Sequence, residues 1–158
     1  GQYLGSFEAE EKIIVFYNDG TYEITDQELT QRLEGDKTMR IEKFDPEKIV
    51  TAVYLDKEKL QYNIKRFRIE TTTLHNKFSF IKEGEGNELR AVTTDVEPIL
   101  IVQSGRGSQV RSAKFKVVKM AEVMGWKAVG TKLVDYTKTM VMEWQKKRND
   151  PSQPELFE

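Results

Sequence analysis

Apolar residues in this chain fall in short blocks separated by turn residues. Ile13 to Tyr17 is β-branched and aromatic, the composition of a buried strand. Asn18-Asp19-Gly20 follows, and these residue types tolerate the backbone that a tight hairpin needs. Thr21 to Ile24 alternates and predicts the returning strand. The same plan of apolar strand, turn, and strand running into polar or basic residues recurs over 47–67 and 97–111. The spacing is roughly forty to fifty residues, the period of propeller blades and related β arrays. One such unit cannot bury its apolar face alone, whereas stacked units can.

The remaining pattern fills in the array. Thr25 and Glu28 have the spacing of a capping box for a short helix through Leu33, and 34–37 reads as a loop. Asp45-Pro46 marks a turn into a strand over 49–55, then a polar turn, then a partner strand over 60–69. In that strand Leu60, Tyr62 and Ile64 fall on one face with Arg66 and Arg68, while Lys65, Phe67 and Ile69 fall on the other. The alternation therefore breaks near Lys65, at a bulge or at the strand end. Short strands are expected over 78–81, 89–93 and 99–102, a Gly-rich turn at 103–108, and strand-like ends over 110–120. Residues 124–130 read as a loop, and 133–144 holds at least one more strand. The expectation is an all-β chain: a β-pinwheel or propeller-like array over 1–149, with units at roughly 3–46, 47–95 and 96–144. That makes about three four-stranded blades and part of another. The charged, Pro-containing tail 150–158 is expected to be disordered.

Composition removes several function classes. With 158 residues the chain suits one domain or one continuous array. It has no cysteine, which excludes disulfides, thiolate nucleophiles and Cys-based zinc sites. No run of about eighteen apolar residues exists, so no membrane-spanning helix is expected, and the first residues lack the layout of a secretory signal. These features are compatible with a cytoplasmic protein.

The formal net charge of −1 conceals an uneven distribution. Residues 1–99 carry 14 Lys+Arg against 20 Asp+Glu, or −6, and residues 100–158 carry 11 against 6, or +5. Between Gln103 and Leu133 stand Arg106, Arg111, Lys114, Lys116, Lys119, Lys127 and Lys132, with Glu122 as the single acid. Such asymmetry marks either an anionic partner or a solvated face.

Catalytic chemistry is not legible. His75 is the single histidine and has no second ligand at metal spacing, so it reads as a surface-loop residue. Glu83, Glu85 and Glu88 lack the ordered spacing of a calcium loop. The segment QSGRGS lacks the Lys-Ser/Thr pair of a P-loop. No Ser/His/Asp arrangement can be assembled. The chain alone is therefore expected not to be an enzyme and to hold no metal or cofactor. What remains is a set of bases interleaved with aromatic or small residues: Lys65, Arg66 and Arg68 around Phe67; Arg106 and Arg111 at the third hairpin; Lys114 and Lys116 around Phe115; Lys127 beside Trp126; and Lys132. Bases at strand ends of a blade array form a discontinuous positive belt, which favours backbone contacts to double-stranded DNA over sequence reading.

The stretches YLGSF (3–7), KIIVFYNDG (12–20), EKIVTAVYLD (47–56), NIKRF (63–67), NELRAVTTDVEP (87–98) and GWKAVGTKL (125–133), in this order and spacing, cover most of 3–144. The chain resembles the C-terminal β-pinwheel domain of bacterial type IIA topoisomerase A subunits, nearest to the topoisomerase IV type of Bacteroidetes. The resemblance implies four-stranded blades that exchange strands with their neighbours and a basic rim along which a duplex bends. It implies that the catalytic tyrosine lies elsewhere in the parent chain, and that ATP and magnesium act elsewhere in the parent enzyme with the B subunit. Gyrase A subunits carry a QRRGGKG-like heptapeptide that supports chiral wrapping. Here QSGRGS shares only scattered letters with it and GWKAVG looks like a degenerate copy. That favours topoisomerase IV, with a gyrase A domain or a protein-interaction propeller as alternatives. The tail segment QPELF resembles the peptide that docks on bacterial sliding clamps. Gln153, Leu156 and Phe157 would make the contact, and Pro154 departs from the motif.

Overall fold

The computed structural model describes residues 12–26 and 37–146. The helix expected through Leu33, the tail 150–158 and the clamp-docking residues Gln153, Leu156 and Phe157 lie outside them. The described residues form twelve strands, β1 (Ile13–Tyr17), β2 (Thr21–Thr25), β3 (Thr38–Lys43), β4 (Val50–Asp56), β5 (Gln61–Phe67), β6 (Lys77–Ser79), β7 (Glu88–Thr93), β8 (Ile99–Ser104), β9 (Arg111–Lys116), β10 (Val123–Met124), β11 (Thr131–Asp135) and β12 (Val141–Trp144), with two short 3-10 turns and no α-helix. The all-β array expected from the hydrophobic pattern is what forms.

Each unit starts with an antiparallel hairpin: β1–β2, β4–β5 and β8–β9. A later strand of the same unit returns to the outer side of the first hairpin strand, β3 on β1, β7 on β4 and β12 on β8. Between hairpin and return, the chain leaves its own sheet. β6 crosses back to pair with β2, and β10 and β11 cross back to pair with β5. The sheets thus read β3-β1-β2-β6, then β7-β4-β5 with β10 and β11 sharing the far edge, then β12-β8-β9. The strands found over 133–144 extend the second and third sheets and do not begin a fourth blade.

Two apolar layers hold the sheets together. Ile14, Phe16, Tyr22 and Ile24 of the first sheet meet Val50, Ala52, Tyr54 and Phe67 of the second. On the other side of the second sheet, Val53, Leu55, Tyr62 and Ile64 meet Leu100, Val102 and Val117. The second sheet is therefore buried on both faces, and every residue of β4 is buried. Each large apolar side chain removed from water contributes about 1.5–3 kcal/mol, so these layers supply the main drive for stacking.

The break in alternation expected near Lys65 does not occur. β4 and β5 pair in unbroken register from Val50↔Phe67 to Asp56↔Gln61. The pattern looks broken in sequence because Lys65 and Arg66 are interior residues, 3% and 9% exposed. Lys65 Nζ donates to the Phe80 carbonyl and, at 2.8 Å, to the Trp126 carbonyl. It lies 4.9 Å from the Phe67 ring centroid. Phe80 follows the strand given to the first sheet, and Trp126 lies in the segment given by the third unit and packs edge-on to Tyr22. One ammonium thus joins its own unit's segment after β6 to the segment that the third unit gives to the second sheet. Arg66 donates to Thr51 Oγ1 at 3.4 Å and to the Ala121 carbonyl at 3.3 Å. Lys65 and Arg66 are therefore removed from the set of expected phosphate contacts: their charged ends are spent on protein oxygens.

Tyr54 adds a parallel link, donating its hydroxyl to the Val129 carbonyl at 2.8 Å and accepting from Asn63 Nδ2 at 3.1 Å. At Gly130 the loop runs against β5 with φ +100, and an added Cβ would stand 2.6 Å from the Ile64 carbonyl oxygen. Gly130→Ala should therefore destabilise the chain by about 2 kcal/mol or more. Gly107→Ala is also at positive φ, but nothing lies within 4 Å of its Cβ position. It should cost less, about 1 kcal/mol. Urea denaturation of the two variants checks the order.

Burial pulls the Lys65 ammonium down from 10.5 to about 8. A neutral amine still has two N–H groups for its two carbonyls. Between pH 8 and 10.5 the native state has released this proton while the unfolded chain holds it, so stability should rise with pH across that window. The gain of the parent chain over Lys65→Met should grow by up to about 3 kcal/mol from about pH 7.5 to about pH 10.5. Urea denaturation of both chains at several pH values measures it, and parallel profiles would contradict the buried-charge account.

Candidate nucleic-acid interface

With Lys65 and Arg66 inside, seven of the expected contact residues remain, and all seven are exposed: Arg68, Arg106, Arg111, Lys114, Lys116, Lys127 and Lys132. They divide into two groups by the strand that carries them.

The first group belongs to the third hairpin. β9 pairs with β8 from Ser104↔Arg111 to Ile99↔Lys116. Phe115 packs into the layer beneath, opposite Leu100. Strand alternation then turns Lys114 and Lys116 to the other face, beside Ile101 and Ile99. Their Cα atoms stand about 7 Å apart along the strand at about 3.3 Å per residue. Arg111 opens β9, and Arg106 sits in the turn before it, where its carbonyl accepts from the Gln109 amide at 2.8 Å. This turn is the QSGRGS segment, a hairpin connection as its composition suggests.

Lys119 joins this group. The sequence places it among the bases of 103–133 but assigns it no contact, since a residue after a strand has no readable direction in sequence. Here a 3-10 turn over Val117–Lys119 follows β9 directly. Lys116 and Lys119 both line a shallow cleft of about 270 Å³ with Glu97, Pro98, Ile99 and Val118.

The second group follows the outer edge of the second sheet. Arg68 lies one residue past β5 and donates Nε to the Glu47 carbonyl at 3.2 Å. Lys127 stands in the loop between β10 and β11, its Nζ 5.3 Å from the Trp126 ring centroid. A cation over an aromatic face keeps its charge exposed while its stem is held. Lys132, on β11 opposite Asn63, pairs with Asp135 at 2.7 Å. Both ends of that pair are largely exposed, so it is worth little and leaves Lys132 free to exchange partners.

The two groups occupy corresponding places. β5 and β9 are the second strands of their hairpins, and the bases lie on or next to their outer edges. Two residues that the sequence placed with them, Lys65 and Arg66, share β5 with buried neighbours and face inward. Alternation alone does not tell which faces of β5 are covered, because that depends on sheets from distant parts of the chain. His75 is exposed, with its Nδ1 3.4 Å from Thr25 Oγ1. Among the described residues no group of three or more His, Asp or Glu side chains could hold a metal ion. No helix of the described residues is long and apolar enough to cross a membrane.

This arrangement can bind phosphates spaced along an extended edge.

No curated protein matches the chain. Among solved structures, the crystal structure of the C-terminal domain of DNA topoisomerase IV superposes with a TM-score of 0.65 at 12% sequence identity, over 90% of this chain. The chain spans 50% of that structure's length. At this identity the likeness is one of fold, a β-pinwheel. The family model for the topoisomerase C-terminal domain of Bacteroidota matches residues 1–146. The chain belongs to that topoisomerase C-terminal domain family.

Proposed function

We propose that this chain is the non-catalytic DNA-binding and DNA-bending part of a topoisomerase IV A subunit, which orients a duplex segment for ATP-dependent strand passage in decatenation and relaxation. The observation that supports it most is the recurrence of exposed bases at the outer edges of the second and third sheets. Edge-mounted cations meet a curved backbone at intervals, and they recognise charge and shape without reading bases. A duplex that follows such a rim must bend, at a cost repaid by each further phosphate contact. The other parts of the parent enzyme, the B subunit among them, would supply cleavage, ATP hydrolysis and magnesium. The lack of a glycine-rich basic heptapeptide within these residues favours topoisomerase IV over gyrase.

Binding of a labelled duplex of about 30 base pairs, followed by fluorescence anisotropy at several salt concentrations, tests this reading. Affinity should fall steeply with salt and vary little with sequence. Lys114→Glu with Lys116→Glu should weaken binding about tenfold or more and lower the salt slope by about 2. Lys57→Gln, in the β4–β5 turn, should leave binding unchanged. Binding that is salt-insensitive, or equal in the double variant and the parent chain, would overturn the proposal.

A further inference from the structure

Between β10 and β11 the chain makes a tight turn whose backbone is gripped from inside the molecule. The Ala128 amide donates to the Gly125 carbonyl at 3.0 Å, which puts Trp126 and Lys127 at the two central positions. Their side chains part. The Trp126 ring is half-buried and packs on the first apolar layer, edge-on to Tyr22 at 5.9 Å and to Phe78 at 6.1 Å between centroids. Lys127 is exposed. From the interior, Lys65 Nζ donates to the Trp126 carbonyl and the Tyr54 hydroxyl donates to the Val129 carbonyl, each at 2.8 Å. Lys65 stands on β5 and Tyr54 on β4, and they are 3% and 0% exposed.

Stacking alone does not call for a lysine at this place. An ammonium costs more to bury than an apolar side chain of similar volume. The third hairpin does without one. Val50↔Phe67 and Leu100↔Phe115 occupy matching places in their hairpins, and two residues further on Ala52↔Lys65 matches Val102↔Ala113. Alanine thus stands in the third hairpin where Lys65 stands in the second. The second hairpin differs in having the Lys127 turn beside it, between two strands that both pair with β5. Lys65 and Tyr54 reach main-chain carbonyls, so they fix the path of that turn and leave its outward side chains free. A cation carried on a fixed turn gives up less freedom on meeting its ligand than one on a loose loop.

We propose that Lys65 and Tyr54 are positioning residues for a phosphate contact at Lys127. By holding the Trp126 and Val129 carbonyls, they keep the indole docked and the neighbouring ammonium turned outward. Neither touches the nucleic acid. The ligand is a backbone phosphate of duplex DNA, so the inference rests on the DNA-binding reading and assigns interior residues to it.

A double-mutant cycle on the 158-residue chain, read by anisotropy with the same labelled duplex, tests it. Lys127→Gln should weaken binding about threefold and lower the salt slope by about 1. Lys65→Met and Tyr54→Phe should each weaken binding about two- to threefold in the parent chain. In a Lys127→Gln background neither should have any further effect. Hydrogen exchange supplies a readout without DNA. Amides of 125–129 should exchange about tenfold faster in Lys65→Met, while those of 99–104 keep the parent rate and show that the fold is intact. Should Lys65→Met fail to fold, Tyr54→Phe carries the cycle alone. Equal losses with and without Lys127→Gln would overturn the proposal, because the interior residues would then not act through Lys127. Parent-like affinity in Lys127→Gln, or in both interior variants, would overturn it too and leave the DNA-binding reading standing. A parent chain that binds no duplex would bring down that reading and this inference together.

Discussion

A sheet in this chain cannot complete itself. The first two hairpins are each finished by a strand from the next unit, so the far edge of one sheet is a piece of another unit. Lys65 is where this dependence is most concentrated. Its ammonium is buried at the centre of the second sheet and is satisfied by carbonyls from the segment after β6 and from the β10–β11 loop. Burying a cation is unfavourable unless its donors are met. The arrangement is thus stable only when the segment after β6 and the β10–β11 loop are both seated, and it penalises any state in which one of them is displaced.

The same constraint sorts the basic residues. Bases on the middle strand of a stack are enclosed because sheets lie on both faces, and Lys65 and Arg66 become internal fasteners. Bases on a hairpin with one open side, or in the segments crossing between sheets, stay at the surface. Lys114, Lys116, Lys127 and Lys132 are of this kind. The proposed DNA contacts therefore lie at the edges, where cations stay exposed, and the interior positions of the same motif serve stability. On that proposal one repeated plan acts as both scaffold and contact surface.

Much of the fold is legible in the amino-acid sequence. β1 with its Asn-Asp-Gly turn, and the hairpins β4–β5 and β8–β9, follow from apolar runs bounded by turn residues. β3 is not, since Thr-Met-Arg-Ile-Glu-Lys alternates polar and apolar weakly and is half exposed. β10 is hidden because a two-residue strand has no periodicity, and its pairing with Arg66 and Phe67 is set from more than fifty residues away. The interface is legible as a set of bases but not as a surface. NIKRF and SAKFK look alike as basic-aromatic strand ends, yet one is covered by two sheets and the other is not. Only the exchange topology distinguishes them.

Strand exchange makes the three units one cooperative body. Native-state hydrogen exchange measured as a function of urea tests that claim most directly. The slowest amides of β1, β4 and β8 are predicted to merge onto one opening isotherm, with a common free energy and a common urea dependence. Separate isotherms, with the third hairpin opening well below the first two, would contradict it and would show that the units are stacked without being interlocked.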